Sequence, residues 1–576
     1  MTDPQAVARG EANPDLAITG GRVFRPETRT FVERDVLVAD GTVAAHVEDA
    51  TPHLGPDTET LDATNRVVVP GFIDAHTHVD LHQTIEANYP AHIRGGTTTI
   101  VTEVASMGAV LGPDAVHELL DATADLPITV RALVPPGPLL DIFEPPRATT
   151  ADDFVDALDH PRVLGVGELS WPNLVDRPEG PLGDLYDAAQ EREAIIGAHG
   201  AGCRGDHLQA LAHLVTDDHE AITGDGHVER AAAGIHPIGR SGTIRDDAPA
   251  VADALDAGLD PSELSLATDG AWPRTLHQEG SMDAAVRRVI EAGADPRDAL
   301  VCATRTPARH FGLAGKGTLA AGSDADVLVL EDLDTVDVAS VVTGGEVVYH
   351  NHHLEVSPRT HHYPARFTDT ARFDLPDDAL AVPESVADGG RVNAITYESG
   401  ILTDATTVEP AVEDGELHAD PVNDVLKAVL VDRHPETDRG HFTGFLEGYG
   451  IDDGAVATTI NWESATALAM GTSDQDILAA LDAIRDSQGG WAVVRDGEVV
   501  ASLPAPVAGF CTTRSVEEAA KLEAGVRDAL RRMGATPERP LLAVQTLTFT
   551  GVPSRKLTCA GYAEVREREV VGLTPE

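Results

Sequence analysis

Between residues 67 and 268 the chain repeats one pattern: a short apolar run, then a stretch whose apolar residues recur at helical spacing. The runs are 67–73, 97–104, 127–134, 162–169, 194–199, 214–219, 233–239 and 263–268. Many are rich in β-branched residues, as in Val67-Val68-Val69 and Thr97-Thr98-Thr99-Ile100-Val101, which suit strands. The stretches between, such as 114–125, 152–158, 206–214 and 248–257, carry acidic first turns, which favour helix N-termini. Strand and helix in alternation build parallel sheets, and eight such units are what a closed barrel needs. The pattern therefore predicts an α/β fold built on a (β/α)8 TIM barrel over 66–310, with its active site at the C-terminal ends of the strands.

Polar residues fall at those ends. The first run leads into Asp74-Ala75-His76-Thr77-His78. Strand side chains alternate faces, so His76 and His78 point the same way and can share one metal ion. Strand four ends in Glu168, strand five in His199, strand six in His219 and strand eight in Asp269. Singly, each has an ordinary explanation: a strand cap for the His-x-His pair, a helix-capping acid for Glu168, a core histidine for His199, a surface residue for His219, a turn former for Asp269. Jointly they gather four imidazoles and two carboxylates at one end of one barrel. That donor set suits Zn²⁺, Mn²⁺ or Fe²⁺, and a carboxylate such as Glu168 can bridge two cations about 3.5–4 Å apart. Such an ion acidifies bound water toward neutral pH, and Asp269 is placed to take the proton and pass it on. Metal-assisted hydrolysis at a carbonyl-like or amidine carbon is what these residues support.

The flanks add two further units. Residues 16–18, 21–24 and 35–38 read as short strands, with Asp40-Gly41 as a hairpin turn. They are too few to bury a core alone. Similar apolar runs at 327–330 and 341–348 supply the partner, so 15–65 and 311–360 are expected to form one composite β-sandwich. Residues 376–576 are expected to form a further α+β domain.

Charge narrows the setting. The 95 acidic against 42 basic residues give a net charge of −53, spread along the chain. Such a surface repels nucleic acid and anionic membrane. It resembles proteins that stay soluble in very high salt, where a Debye length of about 3 Å at 1 M silences like charges. The four cysteines, Cys203, Cys302, Cys511 and Cys559, lie far apart, which fits a reducing compartment without a disulfide framework. The polar N-terminus and the lack of any long apolar run predict a cytoplasmic protein that spans no membrane.

The stretch Pro70-Gly71-Phe72-Ile73-Asp74-Ala75-His76-Thr77-His78 resembles the first-strand motif of the amidohydrolase superfamily, and the composite sandwich resembles that superfamily too. His236-Pro237-Ile238-Gly239-Arg240-Ser241-Gly242-Thr243 occupies the place of an Arg-rich seventh-strand motif. Asp432-Arg433-His434, Gly448-Tyr449-Gly450, Gln488-Gly489-Gly490-Trp491 and Leu503-Pro504-Ala505-Pro506 follow in the last domain. From about residue 15 to the end, the combination resembles the two-domain adenine deaminase family of bacteria and archaea.

The resemblance implies two divalent ions, Mn²⁺ or Fe²⁺ with Zn²⁺ as a further option, converting adenine and water into hypoxanthine and ammonia. It carries His76, His78, Glu168, His199, His219 and Asp269 over as ligands. Asp269 and Glu168 would be the catalytic residues, Asp269 shuttling the proton. A small purine as partner and a homo-oligomer, a dimer, are implied as well. Three stretches depart from the family pattern: Val79-Asp80-Leu81-His82 after the first histidines, Thr102-Glu103-Val104-Ala105 after strand two, and Asn461-Trp462-Glu463-Ser464 in the last domain. The second departure removes an expected Asp and His, and the third a His. Two alternatives remain open at this point: a related hydrolase acting on another cyclic amidine or amide, and a non-catalytic purine-binding descendant.

Overall fold

The computed structural model describes residues 2–140, 143, 150–175, 179–356, 359–433, 440–462 and 464–575. His434 and Glu463 of the motifs above lie outside them. Eight parallel strands form the centre: β1 Phe72–Thr77, β2 Thr97–Glu103, β3 Thr129–Val134, β4 Val163–Ser170, β5 Ile195–His199, β6 Asp217–Asp218, β7 His236–Arg240 and β8 Ser265–Ala267. They neighbour one another in chain order, each joined to the next by helical connections. At the closing seam the backbone N–H of Asp269 donates to the carbonyl of His76 at 2.9 Å, and Thr268 donates through N and Oγ1 to the Asp74 carboxylate. Ile73, Ala75, Val101, Leu133, Ile238 and Ala267 pack together as one apolar cluster.

The run expected as a single first strand over 67–73 is two strands in two sheets. Val67–Pro70 pairs antiparallel with Val327–Leu330 and parallel with Arg22–Arg25, so it belongs to the sandwich. The barrel strand begins only at Phe72. The switch sits at Pro70-Gly71, where Pro70 brings no backbone donor. A Cβ on Gly71 would stand 2.1 Å from Thr98 Oγ1, so only glycine lets the chain pass β2 this closely. The sixth strand is likewise shorter than expected, two residues in place of 214–219.

The N-terminal and 327–354 segments build two sheets, one of four strands and one of seven, over a core of Leu16, Ile18, Val36, Val38, Val68, Val327 and Val329. The last domain is an eight-stranded, mostly antiparallel sheet with helices Asp474–Asp486 and Val516–Arg532, followed by a three-stranded sheet. Its strand Cys511–Thr512 pairs in parallel with His82–Gln83, four residues beyond His78. Buried Arg433 secures that approach by donating to the carbonyls of Thr370, Thr459, Thr466 and Ala508. At Gly509, φ is +72° and a Cβ would lie 2.7 Å from the Arg433 guanidinium, so any larger residue would push the loop away. None of the four cysteines forms a disulfide, and all four are buried. Among the described residues no helix is long and apolar enough to cross a membrane.

Candidate metal centre

All six donors expected from the sequence meet in one buried cluster at the C-terminal end of the barrel. His76 Nε2 lies 3.6 Å from Glu168 Oε2 and 3.5 Å from Asp269 Oδ1. His78 Nε2 is 3.5 Å from the same Asp269 oxygen. Glu168 Oε2 stands 2.9 Å from His219 Nε2, and its Oε1 3.7 Å from His199 Nδ1. The rings of His76 and His219 stack with centroids 4.0 Å apart. Glu168 thus touches three of the four histidines, and Asp269 touches His76 and His78. Asp269 holds φ at +53° just beyond β8, a conformation that aspartate tolerates better than most residues.

These residues fit a divalent cation. His76 Nε2, His78 Nε2 and both ring nitrogens of His199 are buried with no hydrogen-bond partner. Buried polar atoms are nearly always paired, so four convergent orphans fit a site for a bound cation. Their atoms fall into groups with the spacing that one ion spans: His76 with Glu168 and His219, His76 with His78 and Asp269, and His199 with His219 and Glu220. Charge tells the same story. Burial pulls the His78 imidazole down, but Asp269 and Glu168 outweigh it and push it up to about 9. Burial is also overcome at His199, which Glu220 and Glu168 push up to about 9. The carboxylates create a strong demand for positive charge, which protons or cations can meet.

Three residues that carried no assigned role from sequence complete the arrangement. Arg240, buried at the end of β7, lies 3.1 Å from Asp269 Oδ2, 3.2 Å from Asp247 and within an ion pair of Glu220. Burial alone would raise the Asp269 carboxyl, yet Arg240 and then the two histidines hold it well below the usual carboxylate range. Glu220 follows His219 directly and faces both His199 and His219. Glu103, the last residue of β2, places Oε1 3.5 Å from His76 Nδ1. The departure after strand two therefore does not leave the site without a carboxylate there. The rule that selects Glu168 and His199 at strand ends also selects Glu103.

Above the donors lies a cavity of about 790 Å³ lined by Glu168, His199, His219 and Asp269 from the barrel and by Trp462 and Phe549 from the last domain. Trp462 meets the edge of His78 at 5.2 Å between centroids, and Phe549 meets His199 at 5.7 Å. Both aromatics are at least nine-tenths buried. The third departure thus places an indole directly beside a donor histidine.

Residues 67–348 match the model of the amidohydrolase family, and residues 400–569 match that of the adenine deaminase C-terminal domain. An adenine deaminase of Halalkalibacterium halodurans is 30% identical over 97% of this chain and 96% of its own length. The chain belongs to the adenine deaminase family. Another adenine deaminase, from Methanothrix thermoacetophila, is 29% identical over 98% of both chains, and that of Moorella thermoacetica 30% over 99% and 97%. The likeness to these adenine deaminases runs through the barrel, the composite sandwich and the last domain alike.

Proposed function

We propose that the chain hydrolyses adenine to hypoxanthine and ammonia. The observation that carries this reading is the position of Asp269, in contact with His76 and His78 and facing a cavity lined by aromatic side chains. In the proposed assignment His76, His78, Glu168, His199, His219 and Asp269 hold two divalent cations, Mn²⁺ or Fe²⁺, with Zn²⁺ compatible with the same donors. When bound, such ions acidify water and neutralise charge that develops on the attacked group. Asp269 accepts a proton as water adds to C6 of the purine, then delivers it to the exocyclic nitrogen. The C6–N bond breaks, ammonia leaves, and C6 keeps the oxygen as the carbonyl of hypoxanthine, the second proton of the water ending on N1. Arg240 holds Asp269 ionised and aimed, so the acceptor is ready before the substrate arrives.

Trp462 and Phe549 give a flat base an apolar wall and exclude water from the reacting carbon. Base stacking on an aromatic side chain contributes about 1–3 kcal/mol. Trp462→Ala is accordingly expected to raise KM for adenine by about tenfold while metal content stays unchanged. Steady-state kinetics beside metal analysis check it.

The function test is a deamination screen over adenine, adenosine, guanine and cytosine in molar salt. Adenine is expected to be the preferred substrate; preference for another amidine or amide would favour the related-hydrolase reading. The high salt matters. With a net charge of −53, removing salt unmasks repulsion between surface carboxylates. The melting temperature is expected to climb steeply from low to molar salt, and a flat profile in a salt series would contradict a salt-adapted surface. The same reading assigns the enzyme to purine salvage in a salt-adapted cytoplasm, acting as a homodimer.

A further inference from the structure

We propose that Glu103 is a positioning residue that fixes the tautomer and ring orientation of His76. The proposal rests on the metal-centre reading above and adds a residue to it. His76 offers two nitrogens with opposite surroundings. Nε2 faces Glu168 and Asp269 at 3.6 and 3.5 Å, which is the donor cluster. Nδ1 faces away from it, 3.5 Å from Glu103 Oε1. Glu103 enters none of the groups whose atoms have metal-binding spacing, so it stands behind the ligand.

Its environment leaves it little else to do. Glu103 is 1% exposed, and neither carboxylate oxygen has a hydrogen-bond partner. An unpaired carboxylate at such depth is costly, and the His76 ring is the donor within reach. The strand end is held at the right height by Thr102, whose Oγ1 donates to the Thr77 carbonyl and accepts from the Val79 N–H. β2 is thereby clamped to the His76-Thr77-His78 segment. On the other side, a Cβ on Gly167 would stand 2.6 Å from Glu103 Oε1, so glycine next to Glu168 makes room for this carboxylate.

An imidazole that donates Nδ1–H to a carboxylate keeps its lone pair on Nε2, pointed at the ion, and gains basicity as a ligand. Loss of such a partner lowers metal affinity by about 10–100-fold. The test uses the full-length protein loaded with Mn²⁺, with metal retention followed by chelator competition, kcat and KM on adenine, and the melting temperature in molar salt. Glu103→Ala is expected to weaken metal retention by about 10–100-fold and to lower kcat with little change in KM. Glu103→Gln keeps an acceptor oxygen in place and is expected to restore most of both. Should Glu103→Ala not fold, Glu103→Asp decides: one methylene shorter, it keeps the charge, withdraws the contact and is expected to lose metal affinity. Wild-type retention and kcat in Glu103→Ala, or in Glu103→Asp if the alanine variant does not fold, overturn the proposal. Those outcomes leave the metal reading standing, whereas a wild-type protein that binds no metal brings down both.

Discussion

Asp269→Asn is expected to lower turnover on adenine by about 10²–10⁴-fold, the range that a positioned acid–base group contributes. Asparagine keeps the volume and one oxygen toward His76 and His78, so the closing seam at the Asp269 N–H and the fold should persist. What disappears is the proton acceptor. Arg240 makes the loss more complete, because its 3.1 Å contact with Asp269 Oδ2 is set for a carboxylate. An amide there would leave Arg240 with Glu220 and Asp247 as its remaining acids. KM should change far less than kcat, since the proton transfer belongs to the transition state. Single-turnover and steady-state kinetics on a metal-loaded, folded variant read both quantities. Near-wild-type turnover would remove Asp269 from the mechanism.

Glu168→Ala should have the larger effect on the metal. Glu168 contacts His76, His199 and His219, more donor histidines than any other residue of the cluster. Burial would raise its carboxyl, but His219 and then His199 outweigh burial and hold it well below the ordinary range. Its removal leaves Asp269 beside His76 and His78 and Glu220 beside His199 and His219, with no carboxylate joining the two pairs, so bound ions would lose the oxygen donor placed between them. Metal content is expected to fall to near zero. The Lewis-acid contribution, several kcal/mol, goes with it, so turnover falls by about 10³-fold or more. Metal analysis after gel filtration reports the first effect, and hypoxanthine formation the second. A variant that keeps its metal would break the assignment of Glu168 as the bridging ligand.

The donor set was legible because each member sits at the end of a strand whose apolar pattern announces it, and barrel geometry converts strand ends into one place. The split at Pro70-Gly71 was not legible. A continuous apolar run reads alike whether it feeds one sheet or two, and only the sandwich partner at Val327–Leu330 divides it. Glu103 is visible as a strand-end acid, although its stretch departs from the family pattern, which has an Asp and a His there. Trp462 and Phe549 had no such signal. They reach His78 and His199 across more than 300 residues of chain, through the docking that Arg433 and the Cys511–Thr512 pairing impose. Local periodicity carries no record of a contact made between domains.

The central claim is that these donors and this cavity make an adenine-hydrolysing centre. The most direct measurement follows hypoxanthine and ammonia from adenine in molar salt, with the protein first stripped of metal and then titrated with Mn²⁺ or Fe²⁺. The account predicts no turnover without metal, one ammonia per hypoxanthine, and activity that saturates at about two ions per chain. Activity unchanged by stripping, or a folded, metal-loaded protein that leaves adenine intact, would contradict it.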